Sequence, residues 1–135
     1  QSVYMSALTS NSHKCNHDRF ELFNYYCEVI QIHVVETGTY TIVSSSNSIM
    51  NMFAYTYKNN FTLLDLTINR ISISDHNNIN DNCNNQFKIT FDSQINTSII
   101  LVVTTTDQQQ RGNFSITVNG PNKVIMKHKR MFIIS

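Results

Sequence analysis

YYCEVIQIHVVETGTYTI, residues 25–42, decides the fold. On an extended backbone successive side chains point to opposite faces. Tyr26, Glu28, Ile30, Ile32 and Val34 then share one face, and Cys27, Val29, Gln31 and His33 share the other. Glu36-Thr37-Gly38 interrupts the run, and Tyr40 and Ile42 resume it. Two alternating runs around a short Gly-containing break predict a β-hairpin.

The same period recurs along the chain. Phe53, Tyr55 and Tyr57 line one face of NMFAYTYK, Phe87, Ile89 and Phe91 one face of QFKITF, and Phe114, Ile116 and Val118 one face of NFSITV. IILVVTTT is apolar on both faces at its start, as a central strand is. SVYMSALTS reads as an opening strand, LTINRISIS as another, and KVIMKH and MFII as closing ones. Helical periodicity is poor. With 3 Gly and 1 Pro, Asn must supply much of the turn chemistry. The clearest loop is NNINDNCNNQ, residues 77–86. Such a series predicts an all-β fold: a two-sheet antiparallel β-sandwich, jelly-roll-like, of about 8–10 strands, with the aromatic faces buried between the sheets.

The 135 residues fit one domain. A net charge of +1 gives no reason to expect nucleic acid, and aromatics are not interleaved with basic residues. Charged residues are 14% of the chain, and Asn, Ser and Thr carry the polarity instead. That surface is typical of secreted, glycosylated or fibrous proteins, so the expected location is extracellular. No apolar run reaches the ~18 residues that a membrane span needs. The chain begins at Gln1, as a mature chain does after leader removal or as a fragment boundary leaves it.

Cys15, Cys27 and Cys83 are an odd set. One pair and one leftover is the simplest arithmetic for a secreted domain. Cys15 and Cys83 lie in polar, loop-like sequence, which favours them as the pair. Their bond would close a loop of about 69 residues and stabilise by about 4 kcal/mol. Cys27 lies mid-strand and reads as a small buried thiol, with an intermolecular disulfide as the alternative. HKCNH spaces His13, Cys15 and His17 by two, but no fourth ligand has recognisable spacing, so no metal is expected.

Asn60, Asn96 and Asn113 each open an Asn-x-Ser/Thr sequon. With 18 Asn and 27 Ser or Thr, chance alone gives about 3.6 such triplets, so position matters more than number. Asn60 follows a strand end, Asn96 falls in a turn, and Asn113 lies opposite Phe114. All three read as exposed glycosylation positions.

Catalysis has little support. The carboxylates are scattered, with no pair set to divide their pKa values, no Gly-x-Ser-x-Gly elbow and no phosphate-binding glycine loop. Neither a catalytic residue nor a cofactor is expected. His33 reads as a surface or satisfied core histidine. Lys123, Lys127, Lys129 and Arg130 form a basic end piece that is either a solvated strand face or a surface for acidic glycans. Tyr4, Tyr25 and Tyr57 are the candidates for an exposed aromatic platform.

In order, YYCEVIQIHVVETGTYTI, FAYTYKNNF, NNQFKITF, NTSIILVVTT and RGNFSITVNGP resemble the bacterial pre-peptidase C-terminal domain, a β-sandwich family. The chain is also similar, from Leu8 to Asn122, to secreted modules, often in tandem, of rotifers and similar small invertebrates. The resemblance pairs Cys15 with Cys83 and has tyrosine where this chain has Cys27. Collagen-binding members place calcium on acidic residues, and the matching positions here are Asn51 and Asp75-His76-Asn77. Most of the carboxylates that calcium requires are missing there.

The resemblance implies a module at 1–122 with no enzyme activity, and a strand-like extension at 123–135. The expected function is a secreted, non-catalytic structural or adhesive module that associates with identical copies. A carbohydrate- or collagen-binding module, with extracellular glycans or matrix proteins as partners, is the alternative. A sheet edge accepts an added strand. Val124, Met126, Phe132 and Ile134 would then fill a neighbouring copy's groove and build a filament. The competing expectation makes the extension the last strand of its own domain.

Overall fold

Ten strands and no helix are formed by the residues that this computed structural model describes, 1–15, 25–46, 50–58, 70–73, 86–105 and 110–129. The strands are β1 (Ser2–Leu8), β2 (His13–Cys15), β3 (Tyr25–Val34), β4 (Gly38–Ser46), β5 (Met52–Lys58), β6 (Arg70–Ile73), β7 (Lys88–Ser93), β8 (Thr97–Thr105), β9 (Gly112–Asn119) and β10 (Val124–His128). One sheet runs β1-β9-β4-β7. The other runs β10-β3-β8-β5-β6, with β2 also paired to β3. All pairings are antiparallel. The architecture is therefore the expected two-sheet β-sandwich. MFII and most of LTINRISIS lie outside the described residues.

The space between the sheets is filled by alternate residues of the facing strands. Ile30, Ile32 and Val34 of β3 and Leu101 and Val103 of β8 meet Tyr40 and Ile42 of β4, Ile89 of β7, and Phe114, Ile116 and Val118 of β9. The alternation in β3 divides as expected, because Cys27 and Val29 belong to a second buried cluster. That cluster also holds Phe53, Tyr55, Tyr57, Ile100 and Val102, on the other face of the larger sheet. β8 is central and buried on both faces, consistent with its continuous apolar run. The Phe53-Tyr55-Tyr57 stripe corrects one expectation. It faces away from the smaller sheet, and Met52 and Ala54 take the inter-sheet positions.

The expected hairpin at 25–42 is also corrected. β3 and β4 do not pair. They lie in opposite sheets, and Val35-Glu36-Thr37 crosses between them. Alternation fixes which side chains face the core, but both a hairpin and a crossing satisfy it. The crossing is held by contacts remote in sequence. Tyr40 donates its hydroxyl to the Glu36 carbonyl (2.5 Å), and Ile95 N–H donates to Thr37 Oγ1 (2.8 Å). A Cβ on Gly120 would sit 2.1 Å from the Tyr40 ring, so only glycine lets the backbone pass there. The turns from β7 to β8 and from β9 to β10 cross between sheets in the same way. Asn96 takes a left-handed backbone (φ 59°) in the former, the turn role expected of Asn.

Val124 and Met126, expected to fill a neighbour's groove, are packed in their own chain. β10 pairs with β3, placing Val124 opposite Val34 and Met126 opposite Ile32. Val124 is buried in the core and Met126 packs against it. Phe132 and Ile134 lie outside the described residues.

Candidate binding surface

β1 is the strand on which buried polarity and exposed apolar surface meet. Its alternation sends Tyr4 and Ser6 inward, while Val3 (57% exposed) and Met5 (80% exposed) face out. Inward, Tyr4 donates its hydroxyl to Glu28 Oε2 (2.5 Å) and Ser6 donates to Glu28 Oε1 (2.6 Å). Glu28, 7% exposed, is the one charged side chain buried among the described residues. A buried carboxylate is tolerated only when hydrogen-bonded or paired, and each of its oxygens here has its own hydroxyl donor. His128 Nδ1 lies 3.9 Å from Oε2 at the exposed side. Burial first, then the hydrogen bond and charge of Glu28, push the Tyr4 hydroxyl well above its ordinary value. Tyr4 therefore stays a donor at neutral pH, and the group ties β1 of one sheet to β3 of the other.

Outward, β1, β9 and β4 form a gently polar face. Met5, Ser115 and Ser45 align in one row across the three strands, and Val3, Thr117 and Val43 in the next. Thr41 and Thr90 lie within hydrogen-bond distance (3.3 Å), and Thr39 donates to Asp92 (2.5 Å). An open groove of about 330 Å³ is lined by Met5, Ser6, Ser45, Asn113, Phe114 and Ser115. Its chemistry is hydroxyl, amide and thioether. It can exchange hydrogen bonds with a polar ligand or extended backbone, but it brings together no nucleophile with a base.

Among the residues singled out from sequence, Asn113 borders this groove and is exposed, and Asn96 is exposed at its turn. Asn60 lies outside the described residues. The aromatic platform is corrected: Tyr25 and Tyr57 are buried, and Tyr4 is half-buried with its hydroxyl on Glu28. His33 is half-buried with Nδ1 3.2 Å from Ser98 Oγ, a satisfied histidine. Asn51 donates its backbone N–H to Gln110 Oε1 (3.0 Å), while Asp75-His76-Asn77 and His17 lie outside the described residues. Lys14 stands over the Tyr26 ring, 5.8 Å from its centre. Among the described residues no three His, Cys, Asp or Glu gather as metal ligands would.

Cys27 is corrected as well. It is buried, as expected, but it is disulfide-bonded. The expected free Cys27 thiol does not describe this structure. The Cys15 side chain and all of Cys83 lie outside what is described. Sequence context misled because β2 lies beside β3, placing His13 opposite Cys27. A mid-strand cysteine is thus next to a second chain segment that local polarity did not reveal.

No family model and no curated protein matches the chain. Among solved structures it is similar to the pre-peptidase C-terminal domain of a collagenase from Bacillus anthracis, at 14% identity and a TM-score of 0.56. The match covers 87% of this chain and 88% of that one. At this identity the likeness shows the fold alone, a β-sandwich of the kind the sequence resemblance implied.

Proposed function

We propose that the chain is a non-catalytic binding and structural module acting outside the cell. The observation that carries this reading is the open face of β1, β9 and β4, with its hydroxyl-rich rows, its groove and its exposed Val3 and Met5. Its only buried carboxylate among the described residues is occupied in tying the sheets together. The neighbour's description as a domain of a larger enzyme supports a module reading. The disulfide at Cys27 supports an oxidising compartment, and the likeness to secreted tandem modules of small invertebrates agrees with it. Glycans at Asn96 and Asn113, both exposed, belong to the same proposal.

The module associates with copies of itself, in a filament or smaller assembly. Binding of extracellular glycans or collagen-like matrix through the hydroxyl face is the second reading, favoured by the Asn113–Ser115–Ser45 lining. Light scattering across concentration and a glycan and collagen binding panel, run on the same material, test the two. A chain that neither associates nor binds, or that turns over substrates in a broad hydrolase screen, overturns the proposal.

A further inference from the structure

Exposed sheet edges recruit other strands unless something blunts them, such as charge, brevity, a bulge or proline. Among the described residues, three of the four sheet edges carry such devices. β7 bears Lys88 and Asp92. β6 has four residues, starts with Arg70, and meets β5 with a register shift at Thr56/Tyr57. The edge beside β3 is shared by the three-residue β2, with His13 and Lys14, and by β10, with Lys127 and His128. β1 has none of these devices. SVYMSAL contains no charge, no Pro and no Gly, and it runs in unbroken register along β9 from Ser2 to Leu8. Its second long side has no strand partner among the described residues.

We propose that β1 is a pairing edge for a second copy of this chain. Two β1 strands run antiparallel across a two-fold axis, merging two four-stranded sheets into one of eight. A second copy is the occupant because the strand is self-complementary. With the axis at Tyr4, Val3 of each copy lies opposite Met5 of the other, and Ser2 opposite Ser6. Both exposed apolar side chains thereby gain an apolar cross-strand neighbour, and an uncharged edge meets itself without like-charge repulsion. Such a contact is closed and isologous, unlike an open filament contact. Tyr4 and Ser6 remain turned inward onto Glu28, which holds the strand straight for pairing.

This inference rests on the reading of the chain as a self-associating module, and the test separates the two. Sedimentation equilibrium is run on the whole chain, on Val3→Lys and Met5→Lys, and on Ile125→Lys as a control at an exposed site (58%) of a charged edge. Circular dichroism confirms the fold of each. The expected result is a dimer that Met5→Lys or Val3→Lys weakens by about tenfold or more, and that Ile125→Lys leaves unchanged. Mixing Val3→Cys chains with Met5→Cys chains and oxidising should give a crosslink joining residues 3 and 5, identified by peptide mass. An assembly that both lysine variants leave intact overturns pairing through β1 and spares self-association. A chain monomeric at every concentration overturns both, even if β1 then captures an unrelated extended peptide. A dimer that crosslinks only within Val3→Cys or only within Met5→Cys material overturns the register.

Discussion

Tyr4 and Glu28 join the two sheets of the sandwich through one short hydrogen bond, hydroxyl to carboxylate, 2.5 Å long. Ser6 holds the other carboxylate oxygen. Hydrogen bonds to a charged group contribute about 1.5–3 kcal/mol. Tyr4→Phe should therefore lower stability by about 2 kcal/mol in urea unfolding at neutral pH. Ser6→Ala should cost about 1 kcal/mol or more, and the double variant should depart from additivity because both donors serve one carboxylate. Losses near zero, or strictly additive, would refute the shared anchor.

Alkali should weaken the fold. Tyr4 and Tyr40 both have hydroxyls raised above the ordinary tyrosine value of 10.0, mainly by burial, with Glu28 and Glu36 adding to it. The folded chain thus holds these protons more tightly than the unfolded chain does. Their contribution is complete below about pH 10 and is lost as pH rises through the folded values. Denaturation midpoints measured from pH 8 upward should fall past pH 10, and Tyr4→Phe should flatten that fall. A flat profile in the parent protein would contradict the assignment.

Gly120→Ala should be among the costlier single substitutions. The added methyl would lie 2.1 Å from Tyr40 Cδ1. The ring cannot easily yield, because its hydroxyl is held by Glu36 and its face stacks on Phe91 at 5.7 Å. Overpacking of this kind costs about 1–3 kcal/mol or more. Gly38→Ala, whose methyl would meet the exposed Pro121 ring, should cost less. Thermal melts of the two variants side by side make the comparison, and equal losses would argue against a rigid Tyr40.

At Asn96 the backbone is left-handed. Asn96→Gly should be neutral or stabilising, whereas Asn96→Val should cost about 1–2 kcal/mol. Unfolding of unglycosylated material isolates the backbone effect from any glycan.

Non-reducing peptide mapping should place Cys27 in a crosslinked peptide, and denatured chain should titrate with one free thiol of the three cysteines. Reduction should lower stability by about 3–4 kcal/mol, depending on the loop closed. A Cys27 recovered alkylated without reduction would exclude the bond.

Most strand positions and their core faces were legible in the sequence, because period-two burial writes itself into side-chain type. Ile30, Ile32 and Val34 face inward as their alternation requires. What alternation cannot encode is which strand pairs with which. Val35-Glu36-Thr37 reads as a hairpin break and is a crossing, since the deciding contacts come from Gly120, Pro121 and Ile95, far along the chain. The binding surface was less legible. Glu28 stands among apolar inward positions, but its burial against Tyr4 and Ser6 depends on the packing of β1 over β3. The β1 edge carries only a negative signal, an absence of charge, whose meaning needs the sheet order.

Nearly every successive strand of this sandwich changes sheet, and that governs how the chain can be made. Neither sheet can be completed from a continuous stretch of sequence: Ser2 has no partner until Val118 exists. Folding dominated by such distant pairings runs on the slower millisecond-to-second scale. During synthesis neutral β1 stays unsatisfied until the residues of β9 have emerged, the condition under which nascent chains misassociate with one another. Crowding of identical chains on one message would turn the edge proposed to join finished copies into a hazard for unfinished ones.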